Sequence, residues 1–248
     1  MDLDTRQALD TVNRRFYASA AQEFSNTRSH PWPGWERLLP HLAARSEPLV
    51  VLDVGCGNGR FATFLAERLH GRIDYLGIDS SEALLVHARE QNAALPEARF
   101  ACVDALWGAL ESEALTRPFD LVVLFGLLHH VPGFETRRAL LARLVGGLAT
   151  GGLLAVAAWQ FAAFERFAAR ILPWSELEQH TGIRVDSARL EPGDHLLRWG
   201  DAGKLRYCHF VDEAELRRLV EGLEAKVIDT YEADGREERL NRYAVLRR

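Results

Sequence analysis

The chain has no run of about 20 apolar residues, so no segment of it reads as a membrane span. It has no CxxC pair. Its three cysteines, Cys56, Cys102 and Cys208, lie far apart, which argues against a structural zinc site and for a reduced, cytoplasmic setting. It has no basic excess: the formal net charge is −5, which disfavours a large basic field for nucleic acid while leaving room for a local basic face. The start, MDLDTRQALD, has neither a basic beginning nor an apolar stretch and is expected not to be a secretory signal. There is no internal repeat and no low-complexity segment. What is present is 248 residues, 48% hydrophobic and 26% charged. That is enough apolar material for a substantial core, in one globular domain or one domain with an insertion.

Short apolar runs alternate with helical periodicity. LVVLDV (49–54) ends in glycines and reads as a buried strand. NGRFATFLAERLH spaces Phe61, Phe64, Leu65 and Leu69 as a helix does. IDYLGID (73–79) is a second strand, and Ser80 or Ser81 can cap the helix after it. ARFACVD ends a third strand at Asp104, FDLVVLF (119–125) is a fourth, 135–148 is helical, TGG is a turn, and LLAVAAW (153–159) is a fifth strand. This alternation predicts a parallel sheet with helices on both faces. It breaks over 160–211, too long for plain loop, which reads as an insertion with helix over 161–171 that covers one end of the sheet. A capped helix (212–221) and two closing strands (226–231, 243–246) in a hairpin follow.

The strand VLDVGCGNGR carries Asp53 and then Gly55, Gly57 and Gly59. In an open parallel sheet the ligand lies at the carboxyl ends of the strands, and glycines there let backbone approach it. A dinucleotide fingerprint places a third glycine where this chain has Arg60, so that reading loses ground. Asp79 ends the second strand, where a carboxylate can accept both hydroxyls of a ribose. Asp104 ends the third, beside Ala105 and Leu106, where it can accept from an adenine amino group. Each acid alone is equally well a turn former; three at strand ends in one alternating series point to a nucleoside ligand.

GxGxG after an acidic strand end resembles motif I of class I S-adenosylmethionine-dependent methyltransferases, and FDLVVLFGLLHHVP and TGGLLAVAAWQF follow their fourth and fifth strands. The resemblance spans residues 50–159. It implies a Rossmann-like, doubly wound, mostly parallel seven-stranded α/β sheet with a C-terminal antiparallel hairpin and an insertion after the fifth strand. The layout is then one methyltransferase domain over 1–248: an N-terminal lid (1–45), a cofactor-binding core (49–159), a substrate-side insertion (160–211), and a closing helix and hairpin (212–248). It implies S-adenosyl-L-methionine as cofactor, held by Asp53, Gly55, Cys56, Gly57, Asn58, Gly59, Arg60, Asp79, Ser80, Asp104, Ala105, Leu106, Phe125 and Trp32. FSNTRSHPWP, GCGNGR, LLHHV, LPW, RYCHFVDEAELRRL and LNRYAV further resemble the methyltransferases that esterify the carboxymethyl group of tRNA wobble uridine. That narrower likeness implies tRNA as substrate and a small zinc-binding activator protein as partner. The body of the insertion, 175–203, matches only loosely.

Esterifying a carboxylate needs no general base, because carboxyl pKa values lie near 4. Arginine suits such an acceptor because its planar fork makes two parallel hydrogen bonds. Arg28, in a stretch broken by Pro31 and Pro33, is the candidate, either for the acceptor carboxylate or for the carboxylate of the cofactor's methionine part. Trp32 and Trp35 would close the lid. His129 and His130 follow the fourth strand; one is a candidate to face the reacting centre and the other to be packed and hydrogen-bonded. Trp159, Trp174, Asn241 and Arg242 are further candidates for substrate contact, the last two equally an ordinary hairpin turn. Alternatives are the same chemistry on a small-molecule acid, phenol or amine, or a cofactor-binding regulatory module with no activity.

Overall fold

The computed structural model describes residues 1–28, 30–42, 48–70, 72–108, 117–200 and 203–248. The chain opens with a long helix, α1 (Leu3–Asn26), capped by the Asp2 carboxylate accepting from Thr5 N–H. Leu9, Val12, Phe16 and Ala20 are buried at helical spacing along one face. The N-terminal lid expected from the sequence is thus mostly one helix, followed by a 3₁₀ turn (Pro33–Leu38) and a single helical turn, α2 (Leu39–Leu42).

Then come β1 (Leu49–Val54), α3 (Arg60–Arg68), β2 (Ile73–Asp79), α4 (Glu82–Gln91), β3 (Ala98–Cys102), β4 (Phe119–Phe125), α5 (Phe134–Gly146) and β5 (Leu148–Trp159). Ser81 is the residue that caps α4, accepting from Leu84 N–H. Later in the chain lie β9 (Lys226–Ala233) and β10 (Asn241–Arg247). The main sheet has seven strands in the order β3-β2-β1-β4-β5-β10-β9. The first five run parallel, and β10 enters antiparallel between β5 and β9. This is the expected doubly wound sheet with its closing hairpin. Its central strands are apolar on both faces because both are covered: Leu52 and Val54 face the α5 side, Leu49 and Val51 the α3 side. Strand order reverses between β1 and β4, which places the cleft at their carboxyl ends.

Two expectations fail in detail. The fifth strand begins at Leu148, not at 153; TGG is an irregularity inside it, where the register to β4 shifts between Phe119 and Leu121. Residues 161–171 do not form one helix. They make a 3₁₀ turn (Phe161–Ala163) and a single turn, α6 (Glu165–Ala168), before β6 (Ile171–Leu172). The apolar residues there pack on a sheet instead. After α7 (Ser175–Thr181), β7 (Asp194–Trp199) and β8 (Lys204–His209) join β6 in a three-stranded antiparallel sheet. α1 packs against this sheet: Val12 meets Leu177, Leu196 and Leu205. α8 (Glu213–Val220) then leads to the hairpin.

Candidate active site

A cleft of about 940 Å³ opens at the carboxyl ends of β1, β2, β4 and β5, roofed by α1 and the 30–35 segment. Of the residues expected at the site, all but Gly59, Trp174 and Arg242 line it.

The glycine loop divides its labour. Gly57 has φ +56°, and a Cβ there would meet nothing within 4 Å, so it offers bare backbone to the cleft. Gly59, φ +76°, is instead the N-cap of α3; a Cβ would press within 3.0 Å of Asn92 and Ala88, so this glycine is required by packing. Asp79 accepts from Gly57 N–H at 3.0 Å and Ser81 N–H at 2.9 Å. A carboxylate has about four acceptor positions, so lone pairs remain for a ligand. Burial raises its pKa. Asp53 accepts from the Tyr75 hydroxyl at 2.5 Å, and burial pushes its carboxyl up to about 7.

Asp104 sits just past β3, and its oxygens are already engaged. One accepts from the N–H groups of Leu106 and Trp107; the other pairs with Arg14 of α1, which also holds Asp10 at 2.6 Å. A ligand amino group at this oxygen would share it with Arg14. Ser80, Ala105 and Leu106 border the same end.

The opening segment is anchored rather than loose. Asn58 donates to Ser25 Oγ and to the Arg28 carbonyl, tying the glycine loop to the end of α1. Arg60 donates to the His30 carbonyl and lies over Trp32 and Trp35. Trp35 does not act as a lid. It is 1% exposed, in a cluster with Phe61, Phe64 and Phe125. Both tryptophans border the cleft, and Trp32 is the half-buried one. Gly34 N–H donates to Asp234, which also accepts from Asn241 Nδ2 and the Tyr243 hydroxyl. Asn241 reaches the cleft, but its amide nitrogen is committed to this anchor.

Trp174 lies away from the cleft, in the cluster under α1 with Leu177 and Leu196. Arg242 pairs with Glu213 and Glu232, pinning the hairpin to α8. Neither meets the expectation of substrate contact, because packing in one and ion pairing in the other occupy the side chain.

His129 and His130 form a 3₁₀ turn after β4 and are buried. His130 is fully used: with Nδ1–H donating to the Tyr207 carbonyl at 2.9 Å, Nε2 accepts from the Tyr17 hydroxyl at 2.8 Å. This tautomer is the one that satisfies both contacts. Burial lowers its pKa to about 3. His129 stands 5.3 Å from the Trp159 ring, with Nδ1 buried and without a partner among the described residues, and burial drives its pKa well down. The same burial pushes Tyr17 up to about 12 and Cys208 up to about 11. Two residues that sequence reasoning missed complete this end: Arg206 of β8 and Phe167, both beside Trp159. Arg206 stood inside a motif, RYCHF, but no sequence signal showed that the insertion folds it into the cleft.

Among the described residues, two groups hold potential metal ligands: His129, His130 and Cys208, and Glu191, Asp194 and His209. In the first, His130 Nδ1 is spent on a carbonyl and the thiol pKa is raised. In the second, the groups are paired with one another and with Arg137.

Residues 52–154 match the family described as a methyltransferase domain. A trans-aconitate 2-methyltransferase of Delftia acidovorans is 37% identical over 134 residues, 54% of this chain and 45% of that protein. A tRNA (carboxymethyluridine(34)-5-O)-methyltransferase of Xenopus tropicalis is 28% identical over 150 residues, 58% of this chain and 20% of that protein. The chain thus spans less than half the length of the curated relatives it matches. Among solved structures, 1,6-didemethyltoxoflavin-N1-methyltransferase of Burkholderia thailandensis, with S-adenosylhomocysteine bound, superposes with a TM-score of 0.66 at 19% identity, covering 100% of this chain and 92% of that one. The N-methyltransferase NodS of Bradyrhizobium japonicum gives 0.58 at 16% identity, covering 97% of each chain. Residues 52–154 are thus similar to a methyltransferase domain, and the fold of the chain is that of solved S-adenosylmethionine-dependent methyltransferases.

Proposed function

We propose that the chain transfers the methyl group of S-adenosylmethionine to an oxygen of a carboxylic acid, with the carboxymethyl group of a modified tRNA wobble uridine as the leading acceptor. The observation that carries this is the set of ionisable groups at the acceptor end. Burial moves His129, His130, Tyr17 and Cys208 all away from neutrality. A general base works best with a pKa near the working pH, and none of the four has one. A carboxylate arrives ionised and needs none. One of its lone pairs forms the O–CH3 bond, the S–CH3 bond breaks, and its electron pair stays on sulfur as a neutral thioether; no proton moves. The site's task is then alignment and exclusion of water. The residues that fit the methyl donor are the Asp79 carboxylate for the ribose, the open backbone at Gly57, Asp53 beneath the loop, and Arg28, joined to the glycine loop through Asn58, for the methionine carboxylate.

The names of both groups of curated relatives fit this chemistry, since trans-aconitate and carboxymethyluridine are both acids. The rings of Trp159, Phe167 and Trp199 at the acceptor end favour a base-bearing acceptor, which stacks on aromatic side chains. The net charge of −5 and the 37% identity to a trans-aconitate methyltransferase favour a small acid as the second reading. The partner that the tRNA reading carries with it is a small zinc-binding activator. The test is incubation with labelled methyl donor and either total tRNA from a strain lacking the gene or a panel of small acids, phenols and amines, with and without such an activator. Base-labile label on tRNA is the expected result. Label only on small acids moves the acceptor to the second reading, and label on amines or phenols alone overturns the carboxylate.

A further inference from the structure

Arg206 is 5% exposed, and among the described residues its Nε is buried with no hydrogen-bond partner. Its charge lies over the Trp159 ring at 4.8 Å and the Phe16 ring at 5.5 Å. Aromatic faces attract a cation but accept none of its five N–H groups in a hydrogen bond as strong as a carboxylate's. Burying a cation in that state is expensive, and a purely structural arginine would be expected to have a partner. Arg206 instead lines the cleft, at the end where His129 and Trp159 stand, remote in the chain from the glycine loop. Arg28 lines the same cleft, its guanidinium 3.6 Å from the Phe24 ring centre and donating to Thr27 Oγ1, with no ion pair among the described residues. Burial lowers the Arg28 pKa to about 10, and the charge of Arg206 contributes to that shift. Both arginines line one cleft and feel each other's charge, so each end of it favours an anion.

We infer that Arg206, delivered by the insertion sheet, is the residue that binds the acceptor's reacting carboxylate and so selects acids over their neutral counterparts. This rests on the reading of the core as a methyltransferase that acts on carboxylates, and it separates the duties of the two arginines: Arg28 beside the glycine loop, Arg206 at the acceptor. The planar guanidinium can hold one carboxylate oxygen, or both side-on, while the second lone pair of the reacting oxygen points to the methyl carbon. The Trp159 face beneath it sets the plane of the fork.

The experiment is calorimetry on the full chain saturated with S-adenosylhomocysteine, titrated with 5-carboxymethyluridine, with trans-aconitate, and with the methyl ester of each. Wild type is expected to bind at least one acid about ten-fold or more tighter than its ester. Arg206→Met keeps the apolar stem over Trp159, and should weaken the acid by about a hundred-fold, the loss typical of truncating one partner of a buried charge pair. Ester binding and S-adenosylhomocysteine affinity should stay within about two-fold of wild type. Arg206→Lys should restore part of the acid affinity but little turnover, because an ammonium lacks the fork. Arg206→Met that still prefers acid to ester overturns the inference, as does wild type that binds neither acid. If acids bind through Arg206 but no carboxylate is methylated in the acceptor panel, the anion slot stands and the proposed reaction falls.

Discussion

Arg137 and Arg206 are both buried arginines, at 0% and 5% exposure, and they are treated in opposite ways. Arg137 of α5 donates to Glu215 at 3.0 Å, to the Val131 carbonyl at 2.9 Å and to Glu191 at 2.5 Å. Glu215 also accepts from His209 at 2.8 Å, and His209 from its other nitrogen reaches Asp194 at 2.7 Å. Charge is met by charge, and the network ties α5, α8 and β8 together. Arg206 has rings beside it and, among the described residues, no acceptor at its buried Nε. The lesson is that burial by itself does not mark a functional arginine; burial without a partner, facing a cleft, does.

The contrast should appear first in stability. Arg137→Met removes the guanidinium that Glu191 and Glu215 share, and removing one partner of a buried pair costs about 3–5 kcal/mol. In a chain of this size that lowers Tm by about 10 °C or more. Arg206→Met removes an uncompensated charge, so Tm should move by less than about 3 °C in either direction. Scanning calorimetry on the two variants decides, and equal losses would erase the distinction.

Next in size is cofactor binding. Asp79→Ala removes an acceptor from the ribose and frees Gly57 N–H. Hydrogen bonds to charged groups are worth about 1.5–3 kcal/mol, so the Kd for S-adenosylmethionine should rise roughly ten- to hundred-fold. Arg28→Ala should raise it for S-adenosylmethionine and S-adenosylhomocysteine alike while leaving adenosine unchanged. Arg206→Met should alter none of the three. An Arg206 variant that weakens the cofactor while Arg28→Ala does not would invert the assignment of the two arginines.

The two regions also carry opposite pH signatures. Burial works against charge on His209, but its hydrogen bonds to Asp194 and Glu215 outweigh that and hold its pKa above the ordinary 6.5. Its contribution to stability is full below the unfolded value and is lost as pH rises through the folded one. His130 is the reverse: burial holds it at about 3, so its contribution is present above 6.5 and is lost as pH falls toward 3. Urea denaturation across pH should show His209→Gln flattening the alkaline limb and His130→Asn the acid limb. The smallest effects belong to Trp174→Phe and Arg242→Gln, which should leave acceptor KM and turnover within about two-fold, since neither side chain borders the cleft.

The parallel core was legible because a strand buried on both faces must be a short apolar run, and its glycine-ended carboxyl edge is local chemistry. The same holds for Asp53, Asp79 and the caps at Asp2 and Ser81, which act within a few residues of themselves. α1 was missed because a polar-rich helix is held by one apolar stripe whose partner, the β6–β8 sheet, lies about 170 residues further on. The insertion was misread for a related reason: Phe161, Phe164 and Phe167 suit a helix as well as a turn packed on a sheet, and only pairing decides. Trp174 and Arg242 were singled out by type, and their neighbours then took up the packing face of one and the charge of the other.

By itself the sequence determined the order of strands and helices, the acidic strand ends and the glycine loop, since these follow from the period of apolar residues and from backbone freedom at single positions. Tertiary structure decided which charges are paired and which are left open. That choice depends on distances between residues far apart in the chain: it joined Arg137 to Glu191 and Glu215, and it brought Arg206 over Trp159 at the wall of the cleft.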